Sequence, residues 1–427
     1  MGLHMRGILL LPAVFLGRAP DKLWYNDRKR SLYSYYMCVR FSPSANAHAR
    51  IIPYPLRFYG IMGCGGALNE IMAKKAAVFD SLYRIRGRVS GIELQMKRVF
   101  ALSAACAFIF FAGCSAKAPA SHTTFVMDTF FTQTFAGDME LVVENDRIVS
   151  GIEREMSKTI TGSDVFNLNK EGNYKPGPDT LDVLKTALEI AAQTGGAFDP
   201  ALNPVIELWG IGERETDVIP PEREIDNLLP LTDYRDVTID ADGTVRLIPG
   251  AGIDLGGIAK GYALDRVAAN IRENGVASAL IDLGGSIAAI GEKTDGKKYR
   301  IGVRDPMGEA NDYIATVELK DVFTSTSGVY ERYFIKDGVR YHHIIDPGTG
   351  RPAESGLYAC MIVSGRGILS DAYSTALFVM GAEKGLKFAK ENGIDALFVT
   401  NDNKILMTDG FAQKYAFELT ADDYEVI

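Results

Sequence analysis

The chain has 427 residues, of which 47% are hydrophobic and 23% charged, and its formal net charge is −8. By length alone the chain could hold two or three average domains, but this number must first be corrected for segments that never enter the fold. The acidic balance argues against nucleic acid as a partner, because binding to nucleic acid rewards basic patches.

Residues 96–113 have the layout of a bacterial lipoprotein signal peptide. A basic start at residues 96–98 is followed by an almost wholly apolar stretch, and Ala112-Gly113 precedes Cys114. The apolar stretch is shorter than the roughly 20 residues of a comfortable transmembrane helix. We therefore expect lipid on Cys114, a tether over residues 114–122, and an extracytoplasmic position for the domain that follows. An uncleaved anchor is the alternative, and it leaves the following domain on the same side.

Residues 1–95 precede this signal and lie in a part of the chain with a different charge. Residues 1–113 carry 16 Lys and Arg against 5 Asp and Glu, whereas the remainder carries 30 against 49. The first 95 residues also lack sustained helical or strand periodicity. We hypothesise that the native start is Met96, that residues 1–95 are a non-native upstream extension or disordered, and that residues 123–427 form one domain. Only Cys360 falls in that domain, so no disulfide framework is available.

The predicted elements of this domain mix helices with strand pairs. In chain order they are a strand over 124–135, helices over 139–156, 179–194 and 222–229, a hairpin over 236–248, a helix over 259–273, strands over 278–282, 287–290, 299–303, 313–319, 333–335 and 358–364, helices over 369–380 and 382–392, and strands near 396–399 and 404–407. Because strict βαβ alternation is missing, we predict an α+β fold.

Two glycine-rich turns, Ile253-Asp-Leu-Gly-Gly257 and Ile281-Asp-Leu-Gly-Gly285, repeat one pentapeptide. The first stands at the start of a predicted helix, where free amides and the helix dipole favour an anion. Lys260 in the first helical turn opposes that dipole unless something negative binds there. The alternative is a tight turn between a strand and a helix. For the second copy, a turn that ends a strand and packs against the first is favoured over a second carboxylate or row of amides near the same site.

Asp371, Ser374 and Thr375 lie in a predicted helix, and the spacing of Asp371 and Thr375 puts both on one face. Their oxygens are ligands of the kind that Mg²⁺ prefers, and Mg²⁺ usually borrows further ligands from a substrate phosphate. A third protein ligand is needed, and the carbonyl of Gly257 is the candidate. Taken singly, Asp with Thr four residues later is also common on ordinary helices.

Two further segments carry groups suited to chemistry. His342 and His343 are two of the three histidines after Cys114, and one is a candidate general acid or base. A hydrogen-bonded structural pair is the alternative. The hydroxyl-rich residues 324–328 are predicted to form a turn that contacts phosphate or ribose, or that satisfies its own backbone.

Taken together, these residues resemble the ApbE-type FAD:protein FMN transferases. The motifs that carry the resemblance are, in order, Met127-Asp-Thr129, Ala197-Phe-Asp-Pro200, Leu208-Trp-Gly210, Ile253 to Ala263, Ile281 to Gly285, Thr326-Ser-Gly328 with Tyr330 to Tyr333, His343 to Gly350, and Asp371 to Thr375. The resemblance implies an ApbE-like, mostly antiparallel α+β domain, in a lipoprotein on the periplasmic side of the cell inner membrane. It also implies an enzyme that, with Mg²⁺, cleaves FAD and attaches FMN to a Thr or Ser of a target flavoprotein, releasing AMP.

Carried over position by position, the family pattern assigns roles to single residues. It places flavin-nucleotide contacts at Met127, Ala197, Phe198, Asp199, Asp254, Lys260 and Ile345. It places metal ligands at Gly257, Asp371, Ser374 and Thr375. The family histidine at His343 is implied to help the acceptor hydroxyl lose its proton, so we expect His343 and Asp371 to be catalytic.

The chain departs from the family pattern at two positions. Thr159 stands where many family transferases carry a Tyr that packs on the adenine side of FAD, and Ser286 stands where Asn or Asp is frequent. The lost Tyr leaves room for water, so a FAD pyrophosphatase that yields FMN and AMP is one alternative. A non-catalytic FAD-binding lipoprotein is the other.

Overall fold

The computed structural model describes residues 119–212, 217–309 and 311–427, and every structural statement below refers to them. The predictions for residues 1–95, for the signal peptide at 96–113 and for Cys114 lie outside these ranges. None of the helices in the described ranges combines the length and the apolar character that crossing a membrane requires.

The helices that were predicted follow the apolar periodicity closely. Within the described ranges the helices are α1 (Met139–Met156), α2 (Asp164–Glu171), α3 (Pro178–Gln193), α4 (Asn203–Trp209), α5 (Glu222–Leu228), α6 (Ala259–Glu273), α7 (Gly367–Glu391) and α8 (Phe411–Lys414). Three short helices among them, α2, α4 and α8, were not predicted. The helices predicted over 369–380 and 382–392 form the two halves of α7. They are separated at Gly381, whose φ of 77° belongs to the left-handed region that favours glycine.

Strands make up most of the remaining regular structure. They are β1 (Ala120–Val126), β2 (Thr129–Phe135), β3 (Asn173–Tyr174), β4 (Thr238–Ile239), β5 (Val245–Arg246), β6 (Ala279–Leu283), β7 (Ser286–Ile290), β8 (Tyr299–Arg304), β9 (Tyr313–Leu319), β10 (Val322–Gly328), β11 (Tyr333–Lys336), β12 (Val339–His342), β13 (Ile345–Asp346), β14 (Arg351–Pro352), β15 (Leu357–Ser364), β16 (Asp395–Thr400), β17 (Lys404–Met407), β18 (Glu418–Leu419) and β19 (Glu425–Val426).

One nine-stranded sheet organises the domain, in the order β1-β2-β6-β7-β10-β15-β16-β17-β19. Its pairings are antiparallel except between β17 and β19. Alternate residues of its strands face opposite sides, as in β15, where Cys360 and Ile362 join the helix-side core and Met361 joins the other. Helices α6 and α7 pack on one face, and β8 and β9 pack on the other. The α+β prediction is confirmed.

Two predicted elements were wrong. The single strand predicted over 124–135 is the β1–β2 hairpin, which turns at Met127-Asp128. The turn predicted over 324–328 is part of β10, a strand in the middle of the large sheet. The sequence pattern misled there because Thr and Ser replace the apolar residues that normally mark a buried strand. The hydroxyl groups of Ser325 and Ser327 have partners on β7 and α7, as described below. Among the described residues, Thr324 Oγ1 has no hydrogen-bond partner although it is buried.

Candidate functional site

The first glycine turn is fixed by hydrogen bonds from its own neighbours. The Asp254 backbone N–H donates to the Pro200 carbonyl at 2.8 Å. Its carboxylate Oδ1 accepts the Gly256 N–H at 2.6 Å. Lys260 Nζ donates to the Gly256 carbonyl at 3.3 Å. The turn therefore presents glycine backbone, flanked by one carboxylate and one ammonium group, at the start of α6.

Gly257 faces helix α7 across this turn. A Cβ atom built on Gly257 would lie 3.2 Å from the Phe198 ring and 3.5 Å from Thr375 Oγ1. Three predicted site residues, Phe198, Gly257 and Thr375, are thus neighbours. They come from three separate segments of the chain, so the sequence prediction that joined the turn to α7 agrees with their positions.

Helices α6 and α7 pack so closely that their backbones touch where they cross. This contact fixes the position of the Asp371 side chain. A Cβ on Gly261 would lie only 2.2 Å from the Gly367 carbonyl oxygen, so no side chain fits there. The Gly261 N–H donates to Asp371 Oδ2 at 2.9 Å. Asp265 of α6 caps the start of α7, where its carboxylate accepts N–H groups from Gly367 at 2.6 Å and Ile368 at 3.0 Å.

The other oxygen of the Asp371 carboxylate lies near the Ser286 hydroxyl and the Lys260 ammonium group. Asp371 is 5% exposed. Its Oδ1 lies 3.4 Å from Ser286 Oγ and 4.0 Å from Lys260 Nζ. A buried carboxylate with one oxygen held by an amide and the other beside a lysine has its orientation fixed before any ligand arrives.

A row of buried and half-buried hydroxyl groups supports this helix face from the sheet. Ser325 Oγ lies 3.1 Å from both Ser286 Oγ and Ser370 Oγ. Ser327 Oγ lies 2.8 Å from Ser374 Oγ and 3.3 Å from Thr375 Oγ1. Sequence reasoning missed Ser325 and Ser327 as supports. Their spacing of two residues, typical of one face of a strand, was the available signal.

The oxygen atoms of Asp371, Thr375 and Gly257 are ligands of the kind that a hard cation prefers. Among the described residues, no group of three or more His, Cys, Asp or Glu side chains is placed to hold a metal. The candidate ligands are one carboxylate oxygen of Asp371, the Thr375 hydroxyl and the Gly257 carbonyl. Mg²⁺ commonly binds few protein oxygens of this kind and takes further ligands from a substrate phosphate. Ser374 is less open, because its hydroxyl donates to the Asp371 carbonyl at 2.8 Å and the residue is 1% exposed.

Met127 stands in a strained two-residue turn. Met127 and Asp128 have φ values of 52° and 57°, in the left-handed region where non-glycine residues are uncommon. The Met127 N–H donates to Glu153 Oε1 of α1 at 2.7 Å. Sequence reasoning did not single out Glu153, since a carboxylate on a helix face has no distinctive pattern.

Ala197, Phe198 and Asp199 form the segment after α3. The Asp199 carboxylate accepts the N–H groups of Ala201 at 2.8 Å and Tyr234 at 3.0 Å. Burial raises the pKa of Asp199 to about 6, against the lowering effect of those two hydrogen bonds. The side chain of Asp199 therefore shapes the loop, while Phe198 faces the glycine turn.

The two histidines have different surroundings. His342 is buried, its Nε2 lies 3.2 Å from the Ala353 carbonyl oxygen, and its ring meets Phe378 edge to face. His343 follows β12, is half-buried, and its Nδ1 lies 3.3 Å from the Arg332 carbonyl oxygen. Burial, together with the Arg332 and Lys260 cations, lowers the pKa of His343 to about 3.

Ile345 lies apart from these side chains. It is 5% exposed and packs in a separate apolar cluster with Leu202, Val205 and Trp209. A contact with a nucleotide would fall to its main chain.

The second copy of the repeated pentapeptide has a different structure from the first. Gly284 and Gly285, with φ values of 60° and 85°, form the two-residue hairpin turn between β6 and β7. The interpretation as a turn that ends a strand is confirmed, whereas its packing against the first copy stays a prediction. A Cβ on Gly284 would lie 2.4 Å from Thr129 Oγ1, so this turn packs on β2.

Lys158 is a second residue that sequence reasoning did not single out. It follows the end of α1, and its Nζ lies 2.9 Å from Asp254 Oδ2. The two side chains are only 10% and 16% exposed. A nearly buried ion pair therefore adjoins the first glycine turn.

Known proteins are similar to this chain in sequence and in fold. The ApbE family model matches residues 127–398. A FAD:protein FMN transferase of Vibrio cholerae is 31% identical over 323 residues, which are 73% of this chain and 95% of the relative. One of Treponema pallidum is 38% identical over 248 residues, which are 54% of this chain and 68% of the relative.

Solved structures agree with these sequence matches. The crystal structure of the ApbE protein from Thermotoga maritima has a TM-score of 0.65 and 33% identity, covering 69% of this chain and 98% of that one. The flavin transferase ApbE from Vibrio cholerae has a TM-score of 0.63 and 28% identity, with the same shares of the two chains.

Proposed function

The chain belongs to the ApbE family, and we propose that it transfers FMN from FAD to a Thr or Ser hydroxyl of a target flavoprotein, releases AMP, and requires Mg²⁺. The observation that carries the proposal is the fixed position of Asp371. Its buried carboxylate is held by the Gly261 amide and faces Lys260 beside a bare glycine turn. This combination suits an anionic phosphate linkage more than an apolar ligand.

In the proposed reaction, the acceptor hydroxyl oxygen attacks the phosphorus on the FMN side of the FAD pyrophosphate. A phosphoester bond forms to the acceptor, the bond from that phosphorus to the bridging oxygen breaks, and AMP leaves with that oxygen. Such transfers depend mainly on positioning and on electrostatic stabilisation. Lys260 is placed to orient the phosphate groups, because its ammonium adjoins both the turn and Asp371.

His343 is the proposed acceptor of the hydroxyl proton. Its low pKa keeps the ring neutral near pH 7. If Nδ1–H donates to the Arg332 carbonyl, Nε2 is left with a free lone pair for the proton. An anionic substrate beside the ring offsets the nearby cations and raises the basicity of His343.

Asp371, Thr375 and the Gly257 carbonyl are the groups that would hold the metal, with Ser374 in support. When bound, Mg²⁺ would neutralise charge on the pyrophosphate and on the departing AMP. The protein's own part is to keep the Asp371 carboxylate and the Thr375 hydroxyl on one face of α7, which the contacts from Gly261 and Ser327 achieve.

One experiment separates this function from its alternatives. The purified protein is incubated with FAD, Mg²⁺ and a target flavoprotein, and the products are followed by mass spectrometry and chromatography. Covalent FMN on the target with free AMP supports the proposal. Free FMN with AMP would instead identify a FAD pyrophosphatase, which the exposed Thr159 in place of an aromatic residue favours. Unchanged FAD would leave only a flavin-binding protein.

We also propose that the enzyme is a lipoprotein on the periplasmic side of the inner membrane. The signal-like residues 96–113 and Cys114 support this location. Mass spectrometry of the native protein tests it, since a lipidated N-terminal Cys114 is expected. A peptide from residues 1–95 in the native protein would contradict the proposed start at Met96.

A further inference from the structure

The C-terminal end of α1 reaches two turns that the proposed function assigns to FAD. Glu153, in the last turn of α1, accepts the Met127 N–H at 2.7 Å. Lys158, two residues past the end of the helix, pairs with Asp254 at 2.9 Å. Met127 and Asp254 lie more than a hundred residues apart in sequence, so one short segment fixes two distant parts of the site.

The turn at Met127 is held against its own conformational preference. Two-residue hairpin turns with positive φ at both positions strongly prefer Asn-Gly or Gly-Gly, because larger residues are strained there. Met127 and Asp128 adopt this geometry with φ values of 52° and 57°. Such strain persists only where the surroundings impose it, and it is concentrated at functional sites. The Glu153 carboxylate supplies one of the constraining contacts.

The ion pair between Lys158 and Asp254 lowers the net negative charge beside the first glycine turn. Asp254 Oδ1 holds the Gly256 N–H, and Oδ2 faces Lys158. An unpaired carboxylate at this position would repel a pyrophosphate bound at the neighbouring amides, because repulsion between like charges is strong in a poorly solvated environment. Lys158 compensates that charge from a position 10% exposed.

We propose that Glu153 and Lys158 are positioning residues of the nucleotide site. Glu153 sets the backbone at Met127, and Lys158 neutralises Asp254 so that the glycine turn accepts an anionic dinucleotide. The identity of the ligand as FAD rests on the proposed function. The roles of the two residues rest on the contacts above.

A double-mutant cycle on the dissociation constant of FAD, measured by flavin fluorescence with the full chain, tests the Lys158 role. Lys158→Met should weaken FAD binding about tenfold or more, because it leaves the Asp254 charge uncompensated. Asp254→Asn keeps an oxygen for the Gly256 N–H. In the Lys158→Met background it should therefore restore part of the affinity, although alone it should not improve binding.

The matched control is the exposed pair Lys175 and Asp242, 3.8 Å apart with both side chains 62% exposed. Lys175→Met should leave FAD binding unchanged. An unchanged affinity in Lys158→Met, or a double variant that binds more weakly than Lys158→Met, would overturn the role of Lys158.

Two Glu153 variants test the other contact. Glu153→Gln retains an acceptor oxygen for the Met127 N–H and should bind FAD nearly as the wild type does, whereas Glu153→Leu should bind it several-fold more weakly. Thermal unfolding of both variants shows whether each is folded. If the Glu153→Gln and Glu153→Leu variants are both folded and bind FAD equally well, the proposed role of Glu153 is wrong.

The outcome is separable from that of the proposed function. A protein that binds FAD but yields neither AMP nor covalent flavin refutes the transferase activity, while the binding cycle still decides the roles of Glu153 and Lys158. Failure of the cycle with transfer intact refutes only this inference.

Discussion

Gly261 and Asp371, 110 residues apart in the chain, are joined by a hydrogen bond of 2.9 Å from the amide of one helix to the carboxylate of the other. The same glycine allows the two helices to touch, because a Cβ would meet the Gly367 carbonyl. One residue thus sets both the helix crossing and the direction of the proposed metal ligand.

Asp371→Asn should abolish metal-dependent turnover while leaving the fold intact. The amide oxygen can still accept the Gly261 N–H, but the negative charge that would attract Mg²⁺ in the proposed function is lost. We expect AMP release to fall by about 100-fold or more, measured over a range of Mg²⁺ concentrations. Asp282→Asn is the matched control, since Asp282 accepts a glycine N–H in the second copy of the pentapeptide. Full turnover by Asp371→Asn would show that the metal assignment is wrong.

Gly261→Ala should destabilise the protein by about 1–3 kcal/mol or more, because the added Cβ forces α6 and α7 apart. Gly151→Ala, also within a helix, provides the control. The nearest atom to its built Cβ is the end of the Arg154 side chain at 3.9 Å. That change should stabilise by about 0.5–1 kcal/mol. Chemical denaturation measures both, and a neutral Gly261→Ala would contradict the close crossing.

Replacing Met127-Asp128 by Asn-Gly should raise stability and lower FAD affinity. The new pair suits a turn with two positive φ values and removes strain of about 1–2 kcal/mol per residue. The Met127 side chain, which we expect to contact the flavin nucleotide, is lost. Thermal unfolding and FAD titration of the same variant provide the two readouts. A gain in stability without loss of FAD affinity would show that the Met127 side chain does not contact the nucleotide.

His342 should make the fold less stable as the pH falls. Burial lowers the pKa of His342 from 6.5 to about 4, so between these values the unfolded chain binds a proton that the folded chain does not. This contribution to stability is fully present above pH 6.5 and is lost as the pH falls toward 4. Asp199, with its pKa raised to about 6, acts in the opposite direction.

The difference between wild type and His342→Gln isolates this effect from Asp199 and other acids. The free energy of unfolding of the wild type should fall relative to the variant by up to about 1.4 kcal/mol per pH unit below pH 6.5. Parallel pH profiles for the two proteins would show that His342 is not held neutral by the fold.

His343→Asn should slow the transfer step without preventing FAD binding. Loss of a positioned general base typically costs about 10²- to 10⁴-fold in rate. Single-turnover flavinylation of the target measures the rate, and fluorescence titration measures the affinity for FAD. A variant with normal transfer would require another proton acceptor.

Much of the domain was predictable because local rules govern it. Helices α1 and α6 have the predicted ends, since apolar residues at helical spacing mark the side that packs on the sheet. Gly381 divides α7 where two helices were predicted. The motifs also identified Asp371, Thr375 and Gly257 as one group. The structure brings Thr375 and Gly257 together, and Lys260 lies between the turn and Asp371.

Other features depend on partners far away in the chain, which no local pattern encodes. Ser325 and Ser327 are in a strand because their hydroxyl groups meet Ser286, Ser370 and Ser374 in the folded protein. Two identical pentapeptides form a turn before a helix and a hairpin turn, because their different neighbours determine the backbone. The sequence alone therefore determined the α+β class, most elements and the chemical types in the site. Tertiary packing decided which oxygens face the glycine turn, and it brought Glu153 and Lys158 to Met127 and Asp254.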